Sequence, residues 1–350
     1  MPRTPSRTIP SELALIESIR GKAARSASLS TLRMGIGDDC AILRPKSGYE
    51  ICVTTDFSLE GVHFRRDWHP PQSVGHRCLA RGLSDLAAMG AEPLAVFLSL
   101  ALPARTPAAW LDGFLEGLLA LAALDRVPLA GGDTALSPPS GNRAPGKILA
   151  DIVAVGQLPA GAARLRSGAR PGDALCVTGA LGGSAAELLT LARTPKKFRG
   201  LTHASPTHPG THPHLYPEPR LAQGRRLRSL AHAVIDISDG LSTDLAHLCR
   251  ASGLAAEIDE DALPIHPLAL AAERSGLAPS PLDLALHGGE DYELLFTAPP
   301  AEHIPRSLAG VPIHRIGTMR PAFRRRPLIV LSTRAGRKIP ISPAGWEHFT

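Results

Sequence analysis

Ile51-Cys52-Val53-Thr54-Thr55-Asp56 is an apolar run that stops on two hydroxyls and a carboxylate. It reads as a β-strand whose polar end faces a cleft, because a sheet fixes the backbone while its last side chains reach solvent. Hard cations take oxygen ligands from such positions. Asp56 therefore reads as a metal ligand, with Thr54 and Thr55 beside it. A turn-forming Asp after a strand gives the same local pattern, so the neighbouring sequence has to choose between the two readings.

Upstream, residues 11–20 have a Ser N-cap and helical apolar spacing, which predicts a short opening helix. Gly35-Ile36-Gly37-Asp38-Asp39 leads into Cys40-Ala41-Ile42-Leu43, and Pro45, Ser47 and Gly48 turn the chain into the central strand. Antiparallel pairing of these two strands would bring Asp39 to the sheet that carries Asp56. The segment lacks a third glycine and a following helix, so it is not a dinucleotide-binding fingerprint. Downstream, residues 73–89 are helical in pattern, are stopped by Gly90 and Pro93, and carry Asp85. A strand over 94–102 and a helix over 106–124 follow. Leu129-Ala130-Gly131-Gly132-Asp133-Thr134 again ends a strand in a carboxylate and a hydroxyl, and 147–158 is one more strand. Gly141 to Lys147 imitates the start of a P-loop, but Ile148 stands where Ser or Thr belongs and a strand follows.

The Pro-, Gly- and Arg-rich stretch 159–172 divides the chain into expected domains of 1–160 and 161–350. The second opens with a strand over 174–178, a glycine-bearing loop and a helix from Ser184, whose first amides suit an anion or simple tight packing equally well. Residues 203–219, with four histidines and several prolines, read as an irregular strap. The prolines deny those histidines the regular helical spacing of a transition-metal site. A helix near 219–230 precedes a strand over 233–237, which runs into Asp236-Ile237-Ser238-Asp239-Gly240 and then a helix over 241–251. Strand alternation would put Asp236 and Ser238 on one face, with Asp239 at its mouth. Strands over 254–258, 294–297, 311–316 and 328–331 and a helix over 267–275 complete this half. Trp346 and Phe349 near the end suit packing or the covering of a ligand.

At 350 residues and 44% hydrophobic, the chain can bury the cores of two domains. It has no eighteen-residue apolar run and no apolar core behind its first ten residues, so the expected location is the cytoplasm, with no membrane partner. Cys40, Cys52, Cys78, Cys176 and Cys249 contain no Cys-x-x-Cys pair, which signals neither disulfides nor zinc and leaves buried free thiols as the expectation. The net charge of +6 comes from dispersed arginines, and 4% aromatics make no base-stacking platform. No nucleic-acid partner is expected; a basic surface also suits small anions.

Asp39, Asp56, Asp85, Asp133, Asp236 and Asp239 recur in Gly/Ser/Thr-containing turns at the edges of apolar elements, with no matching lysines nearby in sequence. Converging carboxylates without cations repel and raise one another's pKa. Magnesium, which prefers hard oxygens and retains water, removes that cost. Several carboxylates with several magnesium ions suit polyphosphate chemistry, in which the protein positions two phosphorylated substrates and neutralises charge during an in-line transfer. No nucleophile and base pair is evident, so direct transfer is expected and no catalytic acid or base is assigned.

Eight segments, in order and spanning nearly the whole chain, resemble the thiamine-monophosphate kinase family: Gly35 to Asp39, Thr54 to Asp56, Gly61-Val62-His63-Phe64, Leu83 to Ala91, Gly131 to Thr134, Arg166 to Asp173, Ile235 to Leu241 and Gly288 to Glu293. The resemblance implies transfer of the γ-phosphoryl group of ATP to thiamine monophosphate, the last step of thiamine diphosphate biosynthesis. It also implies the two-domain α/β (α+β) fold of the aminoimidazole ribonucleotide synthetase-like ATP-binding superfamily, with an N-terminal mixed sheet with helices and a C-terminal α/β domain. In that fold the N-terminal domain binds ATP and magnesium and pairs with its symmetry mate through its sheet, giving a homodimer. Carried over by position, Asp39, Thr54, Thr55, Asp56, Asp85, Asp133, Asp236 and Asp239 resemble magnesium ligands. Gly132, Arg166 and Ser238 resemble ATP contacts, while His63, Glu290 and Trp346 resemble substrate contacts. Arginine can fork onto phosphate, and a carboxylate with an aromatic ring suits a cationic heterocycle.

Two other readings compete. One is a different member of the same ATP-dependent superfamily that phosphorylates an amide oxygen or a selenide; a selenide-acting member would carry a reactive Cys or selenocysteine near the Gly-rich N-terminus, and none is placed that way. A magnesium-nucleotide scaffold without turnover would have lost metal carboxylates, and the matched set is intact.

Overall fold

The computed structural model describes residues 12–26, 31–36, 40–139, 146–198, 201, 211–278, 280–300 and 304–346. The described residues within 1–83, 93–157 and 194–209 form one compact unit, and those within 84–92, 158–193 and 210–350 a second.

In chain order the first unit is built from α1 (Glu12–Ser26), β1 (Leu32–Met34), β2 (Ile42–Leu43), β3 (Tyr49–Leu59), α2 (Pro71–Ala88), β4 (Glu92–Leu102), α3 (Ala108–Leu124), β5 (Leu129–Leu136) and β6 (Leu149–Pro159). The end of α2, from Ser84, is counted with the second unit. Four strands form a sheet in the order β3-β6-β4-β5, with β4 and β5 parallel. Inner strand β4 is apolar almost throughout, with Leu94, Ala95, Val96, Leu98, Leu100 and Leu102 buried and Phe97, Ser99 and Ala101 half-buried between them. Edge strand β3 instead alternates: Cys52, Thr54, Asp56 and Ser58 point to the more buried side, and Ile51, Val53, Thr55 and Phe57 to the exposed side.

Two expectations are corrected by the structure. The 42–43 strand pairs with Leu32–Met34 in a separate two-stranded sheet, so the predicted route that joined Asp39 to the central strand is not used. Asp39 itself lies outside the described residues. Strands β3 and β5 run on to Leu59 and Leu136, which places Asp56 and Asp133 within strands instead of at their ends.

The second unit holds β7 (Ala174–Thr178), α4 (Gly183–Arg193), α5 (Leu221–Leu230), β8 (Ala233–Asp236), α6 (Leu241–Ser252), β9 (Leu254–Asp259), α7 (Pro267–Arg274), α8 (Pro281–His287), β10 (Leu294–Ala298), β11 (Ser307–Leu308), β12 (Val311–Pro321), β13 (Ile329–Ser332) and β14 (Lys338–Ile341). The sheet order is β14-β13-β9-β12-β7-β10-β8, with β11 on β12. Its neighbours are antiparallel except for β13 and β9. One face of α6 supplies Leu241, Leu245, Leu248 and Cys249 to a core shared with Leu175, Ile235, Ile258, Leu295 and Ile316 of the strands. That packing fixes the start of α6, and so the loop that leads into it, against the end of β8.

Cys78, Cys176 and Cys249 are buried free thiols, each pushed up to about 12 chiefly by desolvation. Cys40 is exposed, against expectation, and Cys52 is half-buried. Among the described residues, no helix is long and apolar enough to cross a membrane.

Candidate functional site

β8 ends at Asp236, and the following loop, 237–240, gathers three separate segments of the second unit. Asp236 is buried, and its Oδ2 accepts a hydrogen bond from Ser84 Oγ at 2.7 Å. Desolvation first and the charge of Asp85 second push its carboxyl up to about 7, opposed by the Ser84 hydroxyl and the Arg166 guanidinium. A buried carboxylate in the field of another, with only partial relief from an arginine, is an environment that a divalent cation fits.

The backbone amides of Ser238, Asp239 and Gly240 all donate to Oδ2 of Asp244, at 3.1, 3.0 and 3.1 Å. Burial, followed by the charges of Asp236 and Asp239, pushes the Asp244 carboxyl up to about 8. Asp244 was missed in the sequence reading; its visible signal is an acidic side chain in the first turn of the helix that follows Gly240. Strand β8 stops before Ser238, so Asp236 and Ser238 do not share a strand face as expected; the triple amide contact sets the loop instead.

Glu290 N–H donates to Ser238 O at 2.7 Å, and Tyr292 N–H to Ile237 O at 2.9 Å. Both residues are non-glycine at positive φ, 63° and 51°. Trp346 N–H donates to Asp239 O at 3.1 Å, and Gly345 N–H to Thr243 Oγ1 at 3.1 Å. A Cβ at Gly345 would stand 1.9 Å from Asp239 O, so only glycine lets the chain pass that close. Asp236, Ser238, Asp239, Glu290 and Trp346 are thereby joined through one loop, and Trp346 is 51% exposed.

The amides at the start of α4 are already occupied. Gly182 N–H and Ser184 N–H donate to the buried carboxylate of Asp291 at 2.7 and 3.2 Å. The anion suited to that helix start is thus part of the protein. Burial raises the Asp291 carboxyl to about 7, and these amides lower it.

In the first unit, Thr54 and Asp56 share the half-buried side of β3, whereas the Thr55 hydroxyl faces the other way and donates to Asp151 Oδ1 at 2.7 Å. Thr55 could join its neighbours at one ion only through its backbone carbonyl. Half-buried His63 accepts Leu59 N–H at Nδ1, 3.0 Å away, which leaves the neutral ring its proton on Nε2. Gly132 and Asp133 line a pocket of about 840 Å³ whose walls include Gly35, Ile36, Phe97 and Ser99. A Cβ at Gly132 would meet Leu98 O at 1.9 Å, so this glycine is required where β5 pairs with β4. Asp133 is exposed, with Oδ1 accepting Thr134 N–H at 2.8 Å. Among the described residues, no three His, Cys, Asp or Glu side chains are grouped closely enough to enclose a metal by themselves.

Residues 37–158 match the AIR synthase related protein, N-terminal domain, and 170–325 the AIR synthase related protein, C-terminal domain. Thiamine-monophosphate kinase of Salmonella typhimurium is 38% identical over 329 residues, covering 93% of this chain and 94% of the relative. The crystal structure of thiamine-monophosphate kinase from Stenotrophomonas maltophilia K279a superposes with a TM-score of 0.74 at 33% identity, covering 92% of this chain and 96% of that one. AaThiL complexed with AMPPCP and TMP superposes with a TM-score of 0.72 at 29% identity, covering 97% of each chain.

Proposed function

The chain belongs to the thiamine-monophosphate kinase family, and from that premise we propose that it transfers the γ-phosphoryl group of ATP to thiamine monophosphate, releasing thiamine diphosphate and ADP. The observation that carries the reading is the backbone bonding that joins the segments bearing Asp236, Ser238, Asp239, Glu290 and Trp346 through one loop, which gathers carboxylate residues and a tryptophan on neighbouring backbone. Carboxylates suit a magnesium-phosphate assembly, and Glu290 with Trp346 suits the cationic thiazolium of the acceptor. The AaThiL complex with AMPPCP and TMP supports the same pair of ligands by analogy.

Asp39, Thr54, Thr55, Asp56, Asp85, Asp133, Asp236 and Asp239 are the proposed magnesium ligands. Magnesium is usually held by one or two carboxylates together with substrate phosphates and water, so these groups divide among several ions instead of forming one protein cage. Bound there, magnesium neutralises the charge that builds on the transferring phosphoryl oxygens. This chain supplies the rest. Gly132, Arg166 and Ser238 are the proposed ATP contacts, an arginine being suited to fork onto phosphate oxygens. His63, Glu290 and Trp346 are the proposed contacts to the acceptor. With the acceptor phosphate itself as nucleophile, the reaction requires positioning but no covalent enzyme intermediate.

The exposed side of β3 carries Ile51, Val53 and Phe57, with Val53 65% and Phe57 59% exposed. An apolar strip of this kind on an edge strand calls for a cover, and a second copy of the chain is the proposed one. The cytoplasm is the proposed location, since it supplies ATP.

The test follows thiamine diphosphate and ADP together in purified protein supplied with ATP, magnesium and thiamine monophosphate. Equal amounts of both products, lost in Asp56→Ala, are expected. ATP binding with no thiamine diphosphate would overturn the reading.

A further inference from the structure

Residues 211–219 form no helix or strand, yet His214 is only 1% exposed and Leu215 is fully buried. This part of the His/Pro-rich strap is anchored from α4. Glu187 Oε2 accepts the N–H groups of His214 and Leu215 at 2.8 and 3.2 Å, and Glu187 Oε1 bonds His212 Nδ1 at 2.5 Å. At its far end Arg220 forks onto buried Glu293, with Nε to Oε2 at 2.7 Å and Nη2 to Oε1 at 2.6 Å. Thr178 Oγ1 adds a bond to Oε2 at 2.6 Å. Between these anchors, Nδ1 of His214 lies 3.1 Å from Ser184 Oγ and 3.4 Å from Glu290 Oε2.

The strap therefore grips both ends of the 290–293 turn, His214 at Glu290 and Arg220 at Glu293. That turn holds two non-glycine residues at positive φ, a conformation that persists only where the surroundings over-determine it. A bidentate arginine–carboxylate pair is directional in a way a single contact is not. We propose that the strap is a positioning element for the acceptor side of the site: His214 sets the orientation of the Glu290 carboxylate, and Arg220 fixes the backbone behind it. The proposal rests on Glu290 facing thiamine monophosphate. It makes the strap a determinant of acceptor affinity and leaves nucleotide affinity to other groups.

The experiment compares wild type, His214→Leu, His214→Asn and Arg220→Lys in steady-state kinetics, varying each substrate in turn, with thermal unfolding measured in parallel. Loss of the polar contact in His214→Leu is expected to raise the KM for thiamine monophosphate about tenfold while the KM for ATP stays within about twofold. Asn returns a polar atom near the Nδ1 position and is expected to recover most of the loss; Lys keeps the charge but loses the fork and falls between. Equal changes in both KM values, no change in either, or an Asn variant as impaired as Leu overturns the proposal. If His214→Leu fails to fold, Arg220→Lys decides by the same criterion of an acceptor-specific rise. Wild type that makes no thiamine diphosphate overturns the proposed function and this inference with it, whereas active wild type with an unshifted acceptor KM in the variants overturns the positioning role alone.

Discussion

Ser84 Oγ and Asp236 Oδ2, 152 residues apart in sequence, meet in a buried 2.7 Å hydrogen bond that ties the end of α2 to the end of β8. The bond partly offsets what burial and Asp85 do to Asp236, whose carboxyl still rises to about 7. Because the folded value is above the unfolded one, this group's contribution to stability in the absence of a cation is fully present at low pH and is lost as pH rises through about 7. Magnesium needs the carboxylate form and must expel the proton. Titrating magnesium into the protein with nucleotide, in two buffers of different ionisation enthalpy, should show proton release one unit below that value and little one unit above it. Affinity should climb with pH between those points. Asp236→Asn should reduce the release, and a release unchanged in this variant would remove Asp236 from the metal set.

Asp244 holds the loop that presents Asp239, with one oxygen taking three amide hydrogens. Its removal strands those donors, so Asp244→Ala should lower stability by about 1–3 kcal/mol. Asp244→Asn keeps an acceptor oxygen and should cost less. Urea midpoints check the order, and an Ala variant as stable as wild type would show that water or a neighbour replaces the carboxylate.

Strand β4 was legible in the sequence as an apolar run. The facing of β3 was not, because its apolar Ile51, Val53 and Phe57 lie on the exposed side and Cys52, Thr54, Asp56 and Ser58 on the more buried one, the reverse of what burial of apolar residues predicts. Where β3 ends was not legible, because its length is set by pairing with the equally long β6 and not by the polarity of Thr54 to Asp56. Helix α8 is seven residues long, too short for a convincing period, although Ser280 caps it through Asp283 N–H and Pro281 opens it. Lys338–Ile341 contains a proline and gave no strand signal in the sequence; it pairs only with β13, at the sheet edge where proline is tolerated. The motif carboxylates were visible as residues. What the sequence could not display was their support: Arg220 is 73 positions from Glu293, and Gly182 is 109 from Asp291.

The β3 face gives a prediction about assembly. Phe57 is 59% exposed within a single chain, so Phe57→Glu should leave each chain folded. In a dimer closed over this face it would place a charge from each copy in an apolar contact and remove about 1.5–3 kcal/mol of burial per ring. Light scattering across a dilution series should show wild-type dimers and variant monomers, with thermal unfolding of the separated chains little altered. A variant that stays dimeric would move the interface elsewhere.

Trp346 separates affinity from stability. Its backbone is fixed by the N–H bond to Asp239 O, but the residue is 51% exposed and is not part of the core. Trp346→Ala should therefore change stability by no more than about 0.5 kcal/mol. A cation held against an indole is worth about 0.5–2 kcal/mol, so the same change should weaken thiamine monophosphate binding by roughly two- to thirtyfold. ATP affinity should be unaffected, and Trp346→Phe should recover part of the loss, since a benzene face attracts a cation less strongly than an indole. Calorimetric titration of each ligand into the three proteins tests the order. Equal weakening of ATP and acceptor in Trp346→Ala would show that the ring orders the loop around Asp239 instead of meeting the thiazolium.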